Sequence, residues 1–428
     1  MRSPRLLTAV GAAVTLSIAA PAAQAHSFDL AQHMPPHLAI MFAMAWFGVR
    51  SSDPQPGGTD PGWGNWRAEF PQCGLTNDPS TCKDFPGAGL QRSIGSRRRP
   101  LAGIYSSSGE TDESKARIDL MLSTLRRPCD DGARLDAFAI QLDSIKFTSA
   151  HPQNKQSATW DLAYRAQVAF LERADAAGLA SAVMVASDAT VYWHFGGNFG
   201  LTTQAQRIAA LTEDVVEMAK LADGHASAVK VGGRPLLLFY VDAPLLTVTE
   251  WNTVLDGARA TSGIDFYALG STLKSTMYGA FDALVPWLNL GIWTNTATPA
   301  ASVHDHAVAW QAKQHAQLLA DVGGYPGRVV FGSVTPGFDD YTMDWGACTA
   351  REIPRDPALL DGQFDWLESL PASGPKVQGL LFETWDDWTE GSELEPDVTE
   401  GPAKLVQVRQ RLGKLFGDPA TARSRRAG

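Results

Sequence analysis

The sequence predicts an α/β chain folded as a single (β/α)8 TIM-type barrel with long loops after its early strands. Three observations predict it. Short apolar runs alternate with helical patterns from His37 to Phe416, the signature of parallel β/α units. Strand candidates number roughly eight or nine, which suits a closed barrel. No G-x-G-x-x-G or G-x-x-x-x-G-K-[ST] stands after an early strand, so the open doubly wound alternative lacks its usual phosphate-binding turn.

The first strand candidate is His37–Phe47, followed by an irregular Gly-, Pro-, Asp- and Trp-rich segment up to Arg99. Leu101–Tyr105 reads as a strand, Asp112–Arg126 as a helix and Leu135–Leu142 as a strand ending at Asp143. In Thr159–Ala177, Leu162, Ala166, Val168 and Leu171 recur at helical spacing, and Gly178 is a stop signal. The strand Leu179–Ala186, the helix Thr203–Leu221 and the strand Pro235–Val241 follow. The alternation continues through Glu250–Ala260, Ile264–Leu269, Leu284–Trp293, the helix His304–Val322 and the strand Val329–Val334. A helix over Leu359–Leu370, a strand over Val377–Phe382 and a helix over Pro402–Phe416 complete it. No internal repeat or interdomain linker interrupts this pattern, so residues 26–417 read as one domain and residues 418–428 as a disordered tail.

The chain opens with the features of an export signal over residues 1–25. Arg2 and Arg5 precede the apolar stretch Leu6–Ala20, and Ala23-Gln24-Ala25 supplies an A-x-A cleavage site. A secreted or periplasmic protein is expected, with no membrane span, since no later run reaches about 18 apolar residues. The net charge is −10, and losing the leader removes two arginines and no acid. An acidic chain without a basic stripe argues against nucleic acid as a partner. Cys73 and Cys82 share one loop and form the expected local disulfide, with Cys129 and Cys348 as the second pair. Their spacings match no zinc pattern. The expectation is a monomer without metal or cofactor.

In such a barrel, chemistry sits where strands end. Those ends carry Trp46, Tyr105, Asp143, Asp188, Tyr240 with Asp242, Trp293, and Asp339 with Asp340. Single strand-end aspartates such as Asp188 and Asp242 also serve as helix N-caps. The last strand runs into E-T-W-D-D-W-T-E-G-S-E-L-E-P, where Glu383, Asp386, Asp387, Glu390, Glu393 and Glu395 crowd around Trp385 and Trp388. No lysine or arginine lies between Lys376 and Lys404, so the local sequence offers these acids no cation. Crowded acids are one way to keep one carboxyl protonated beside another that is ionised. Acids, aromatics and hydroxyls at strand ends suit carbohydrate chemistry, where two carboxyls flank a glycosidic bond and rings stack on aromatic faces.

Other chemistries fit less well. His304-Asp305-His306 invites a metal reading but opens a helix, where residues two apart face different sides. Ser106-Ser107-Ser108 lacks a G-x-S-x-G frame. The run Ser96–Arg99 reads as a solvated basic patch.

The acidic segment resembles the glycoside hydrolase family 71/99 superfamily. Asp386-Asp387-Trp388-Thr389-Glu390-Gly391-Ser392-Glu393-Leu394-Glu395-Pro396 is similar to the family 99 pattern N-E-W-x-E-G-T-x-I-E-P. Trp385-Asp386-Asp387-Trp388-Thr389-Glu390-Gly391 is similar to the family 71 pattern W-N-D-[FY]-G-E-S. Weaker echoes lie at Tyr105–Ser108, Gly233-Arg234-Pro235 and Pro336–Asp340. The resemblance implies a β/α barrel with endo-α-mannosidase, endo-α-mannanase or endo-α-1,3-glucanase activity on a polysaccharide or oligosaccharide. It implies Glu390 as general acid/base and Asp387 as its partner. Asp387 would act on the substrate's own 2-hydroxyl in a family 99-like route. In a family 71-like inverting route, Asp387 or Asp143 would activate water. Trp46, Trp66, Trp293, Trp385 and Trp388 become expected sugar platforms, while Glu383 and Asp386 bind hydroxyls, tune the pair or serve structure. Tyr105, Asp188, Tyr240, Asp242, Asp339 and Glu395 complete the expected substrate-binding set. Asp386 stands where the families carry Asn, and Asp387 follows family 71 while Glu395-Pro396 follows family 99, which leaves the sugar open. The alternatives are a non-catalytic glycan-binding barrel and a sugar-nucleotide glycosyltransferase. The export signal argues against the latter, because activated donors are largely intracellular.

Overall fold

The computed structural model describes residues 27–28, 38–44, 100–101, 112–125, 135–142, 157–179, 182–186, 203–241, 246–287, 300–339, 352–371, 377–388 and 390–416. Eight parallel strands form the barrel wall: β2 (Leu38–Ala43), β3 (Ala137–Leu142), β4 (Ala182–Ala186), β6 (Arg234–Tyr240), β7 (Tyr267–Ser271), β8 (Ala283–Val285), β9 (Val329–Val334) and β12 (Val377–Phe382). Each pairs with the next in sequence; β12 returns to β2 and β6 pairs with β7, so the ring closes without an edge. Two short strands, β1 (Ser27–Phe28) and β5 (Lys230–Val231), extend the sheet beside β6. Another pair, β10 (Phe338–Asp339) and β11 (Glu352–Ile353), runs antiparallel outside it.

Helices α1 (Asp112–Thr124), α2 (Ser157–Ala177), α3 (Gln204–Gly224), α4 (Val248–Ser262), α5 (Ala300–Val322), α6 (Pro357–Ser369) and α7 (Ala403–Phe416) follow successive strands. Only a 3-10 turn at Ser275–Gly279 lies between β7 and β8. Thr203 and Thr247 start α3 and α4 through capping boxes with Gln206 and Glu250, each satisfying two backbone donors that a helix start leaves without partners. At Gly263 the left-handed φ of 72° ends α4. None of the described helices is long and apolar enough to cross a membrane.

The strands are continuously apolar because both their faces are buried. Along β2, Leu38, Ile40 and Phe42 fill the barrel interior, while Ala39, Met41 and Ala43 join the layer beneath the helices. Phe331 of β9 occupies the interior space that Gly379 of β12 leaves open, so the barrel is a packed core rather than a pore.

Most expected elements recur within a few residues of their anticipated bounds. Leu101 is an exposed turn residue whose N–H donates to Pro396 O, not the start of a strand. The expected strand Leu284–Trp293 stops at Val285. The leader, the four cysteines and the tail lie outside the described residues.

Candidate active site

The acidic segment leaves the C-terminal end of β12, the end where a β/α barrel carries its chemistry. Its backbone folds back on itself and is stitched to neighbouring strands. Glu383 N–H donates to Val334 O of β9 at 2.9 Å, and Trp385 N–H donates to Phe42 O of β2 at 2.6 Å. Thr384 bonds Ser392 O through its N–H at 2.8 Å and accepts Leu394 N–H at 2.9 Å. Gly391 has φ 62°, and a side chain there would press on Asp339, so the residue after Glu390 suits glycine on two grounds.

Within this turn Asp387 and Glu390 are tied together. Asp387 Oδ1 accepts the Glu390 N–H at 3.0 Å, while Asp387 N–H donates to Thr384 Oγ1 at 2.8 Å. Glu390 O accepts Asp339 N–H of β10 at 2.6 Å. Burial then sorts the acids. Glu383, Asp386, Asp387, Glu393 and Glu395 are at most 2% exposed, whereas Glu390 is only half-buried.

Long-range contacts supply the cations that the local sequence lacks. Arg117 of α1, 2% exposed, forms an ion pair with Asp386 and also donates to Met44 O at 3.1 Å. Asp386 Oδ1 accepts Met44 N–H at 2.7 Å, so this carboxylate joins α1, the end of β2 and the acidic turn. Arg355, just before α6, donates to Gly391 O at 2.9 Å and Glu393 O at 2.6 Å, and lies 3.2 Å from Glu393 Oε1. It also reaches Glu400, which pairs with Lys404.

Trp385 and Trp388 do not stand in a groove, contrary to the platform role expected of them. Trp385 is 0% exposed in the layer between strands and helices, edge-on to Phe138 at 5.4 Å. Trp388 is 1% exposed inside the barrel, and its Nε1–H donates to Glu395 Oε2 at 3.0 Å. Their large apolar faces are occupied by core packing. Tyr240 ends β6 and faces the barrel interior, and Asp339 lies against the acidic turn. Trp46, Trp66, Tyr105, Asp143, Asp188, Asp242 and Trp293 lie outside the described residues.

Three residues near the site escaped the sequence reading. Arg117 had a local signal: it shares the buried face of α1 with Ser114, Ile118 and Met121, where a charge requires a partner. Arg355 had none. Trp287 lies two residues beyond β8, half-buried, at the C-terminal end of the barrel. Among the described residues, no group of His, Cys, Asp and Glu is arranged to hold a metal ion.

No family model matches the chain. No curated protein matches it either. Solved structures do. A GH99 endo-α-mannosidase from Bacteroides thetaiotaomicron is similar over 91% of this chain and 98% of its own, with a TM-score of 0.57 and 14% identity. Another GH99 endo-α-mannosidase structure from that source, in complex with bis-tris-propane, covers 93% and 100%, with a TM-score of 0.54 and 15% identity. A structure described as a glycoside hydrolase-like protein covers 73% and 89%, with a TM-score of 0.55 and 13% identity. At these identities the likeness establishes a shared barrel fold.

Proposed function

We propose that this protein is an exported glycoside hydrolase that cuts α-glycosidic bonds within a polysaccharide, with Glu390 as general acid/base and Asp387 as its partner. The observation that carries the reading is the Asp387–Glu390 unit at the end of β12, in which the one half-exposed acid of a buried cluster is held three residues from a second carboxylate. The motif resemblance and the fold likeness support it independently, since both lead to the same superfamily.

Glu390, the half-buried acid of the cluster, protonates the leaving glycosidic oxygen. Asp387 then has one of two tasks. It removes the proton of the substrate's 2-hydroxyl, whose oxygen attacks the anomeric carbon, or it takes a proton from an attacking water. Asp143, the residue after β3, is the other base for the second route. Arg117 holds Asp386 and Arg355 holds Glu393, so neither acid is assigned a proton-transfer role.

Incubating the protein with α-glucans and α-mannans, with product masses read over time, tests the reading. Internal cleavage of one polymer is expected, and the anomer of the first product separates the two routes. Failure to cleave any α-linked polymer contradicts it. The complete burial of Asp387 favours one other reading, a glycan-binding barrel that has lost the chemistry. Tight binding without turnover across the panel would establish that one instead.

A further inference from the structure

With Trp385 and Trp388 committed to the core, the stacking surface that a sugar ring needs must come from elsewhere. The barrel register supplies one. Tyr240 of β6 lies beside Ser271 of β7, and Ser271 beside Val285 of β8. Tyr240 and Val285 belong to the interior cluster, and Trp287 packs against that same cluster from the next step along the chain. Its indole meets Tyr240 with ring centroids 4.5 Å apart at 63°, and Phe42 at 5.1 Å and 76°. Both contacts are edge-to-face, so the ring is braced, and the residue remains half-buried where Tyr240 and Phe42 are covered.

This aromatic group is continuous with the acidic turn. Phe42, whose ring braces Trp287, accepts the Trp385 N–H through its carbonyl at 2.6 Å, and Asp386 and Asp387 follow directly. Around the ring of strands, β8 stands two places from β12 and β6 stands four, across the mouth from Glu390. A pyranose lying between them would meet the indole on its apolar C–H face and the carboxyls at its hydroxyl edge. Beneath it, Ser271 Oγ is buried and has no hydrogen-bond partner among the described residues.

We propose that Trp287, braced by Tyr240 and Phe42, is the stacking platform of a pyranose-binding subsite beside Glu390. The proposal rests on the glycoside hydrolase reading. Its occupant is one ring of an α-linked glucan or mannan chain, bound through C–H/π contact rather than through charge.

The test uses the full chain carrying Glu390→Gln, so that binding is read without turnover. Calorimetry with α-1,3-linked glucotetraose and with α-linked mannotetraose gives the reference affinity. Trp287→Leu keeps apolar bulk against Phe42 and Tyr240 but removes the flat face, and Trp287→Phe retains a ring. The Leu variant should bind about tenfold more weakly and the Phe variant should recover most of the loss, with thermal midpoints matched to the parent. Affinity of the Leu variant within about twofold of the parent overturns the subsite, even when the wild-type protein cleaves α-glycans. If the wild-type protein neither cleaves nor binds any member of the panel, the enzymatic reading falls and the subsite falls with it.

Discussion

Arg117 and Asp386, 269 residues apart in sequence, form an ion pair that is almost wholly removed from solvent. Met44 lies between them, giving its carbonyl to Arg117 and its N–H to Asp386. The pair accounts for the Asp found where the resembled families carry Asn, because a buried guanidinium favours a full negative charge. Arg117→Met removes one partner of a buried pair and should cost about 3–5 kcal/mol of stability. Adding Asp386→Asn should recover part of that loss, since Asn can still accept the Met44 N–H. Urea unfolding of the two single variants and the double variant measures this; strictly additive losses would deny the coupling.

Arg355 binds the backbone on both sides of Ser392 and supports the residue following Glu390. Lysine supplies the charge but not the planar group whose Nη1 holds both carbonyls while Nη2 reaches Glu400. Arg355→Lys should therefore lower kcat by about tenfold with KM little changed, as expected when a catalytic group is misplaced by a fraction of an ångström. A variant that loses thermal stability but keeps kcat would make Arg355 a purely structural residue.

His315 joins α5 to β9. One ring nitrogen contacts Gln311 O at 2.6 Å and the other accepts Ser333 N–H at 2.8 Å. Burial lowers its pKa from 6.5 to about 4, outweighing the hydrogen bond to Gln311. Below pH 6.5 the unfolded chain takes up a proton that the folded chain refuses until about pH 4. Stability from this residue is thus complete above pH 6.5 and falls through that window, by about 3 kcal/mol at its acid end. Denaturant midpoints at several pH values should show this slope in the parent and its loss in His315→Gln.

Gly379 lies where a methyl group would enter the Phe331 ring. Gly379→Ala should destabilise the barrel by about 1–3 kcal/mol through overpacking. Adding Phe331→Leu should relieve part of that cost, which thermal unfolding of the double variant can check.

The barrel was legible because its strands are buried on both faces and so read as unbroken apolar runs, while the helices keep their period. Errors arose where local sequence stops specifying structure. The run beginning at Leu284 stays apolar well past Val285, yet β8 has only three residues in register with β7. The apolar run therefore predicts a strand ending at Trp293, whereas β8 ends at Val285, two residues before Trp287. The acidic turn was found from its composition, but its sorting was not. The cations that engage Asp386 and Glu393 come from α1 and from the approach to α6; the buried face of α1 signals that Arg117 needs a partner but not which one, and Arg355 carries no such signal. The two tryptophans suggested an open platform because sequence does not reveal which face of a turn is buried.

Glu390→Gln tests the central claim most directly, because it removes a titrating proton while keeping the size of a half-exposed side chain. Hydrolysis of the preferred α-glycan should fall about 100- to 10,000-fold, with the thermal midpoint and oligosaccharide affinity retained. Hydrolysis at the parental rate by the folded variant would contradict the assignment of Glu390 as the acid/base.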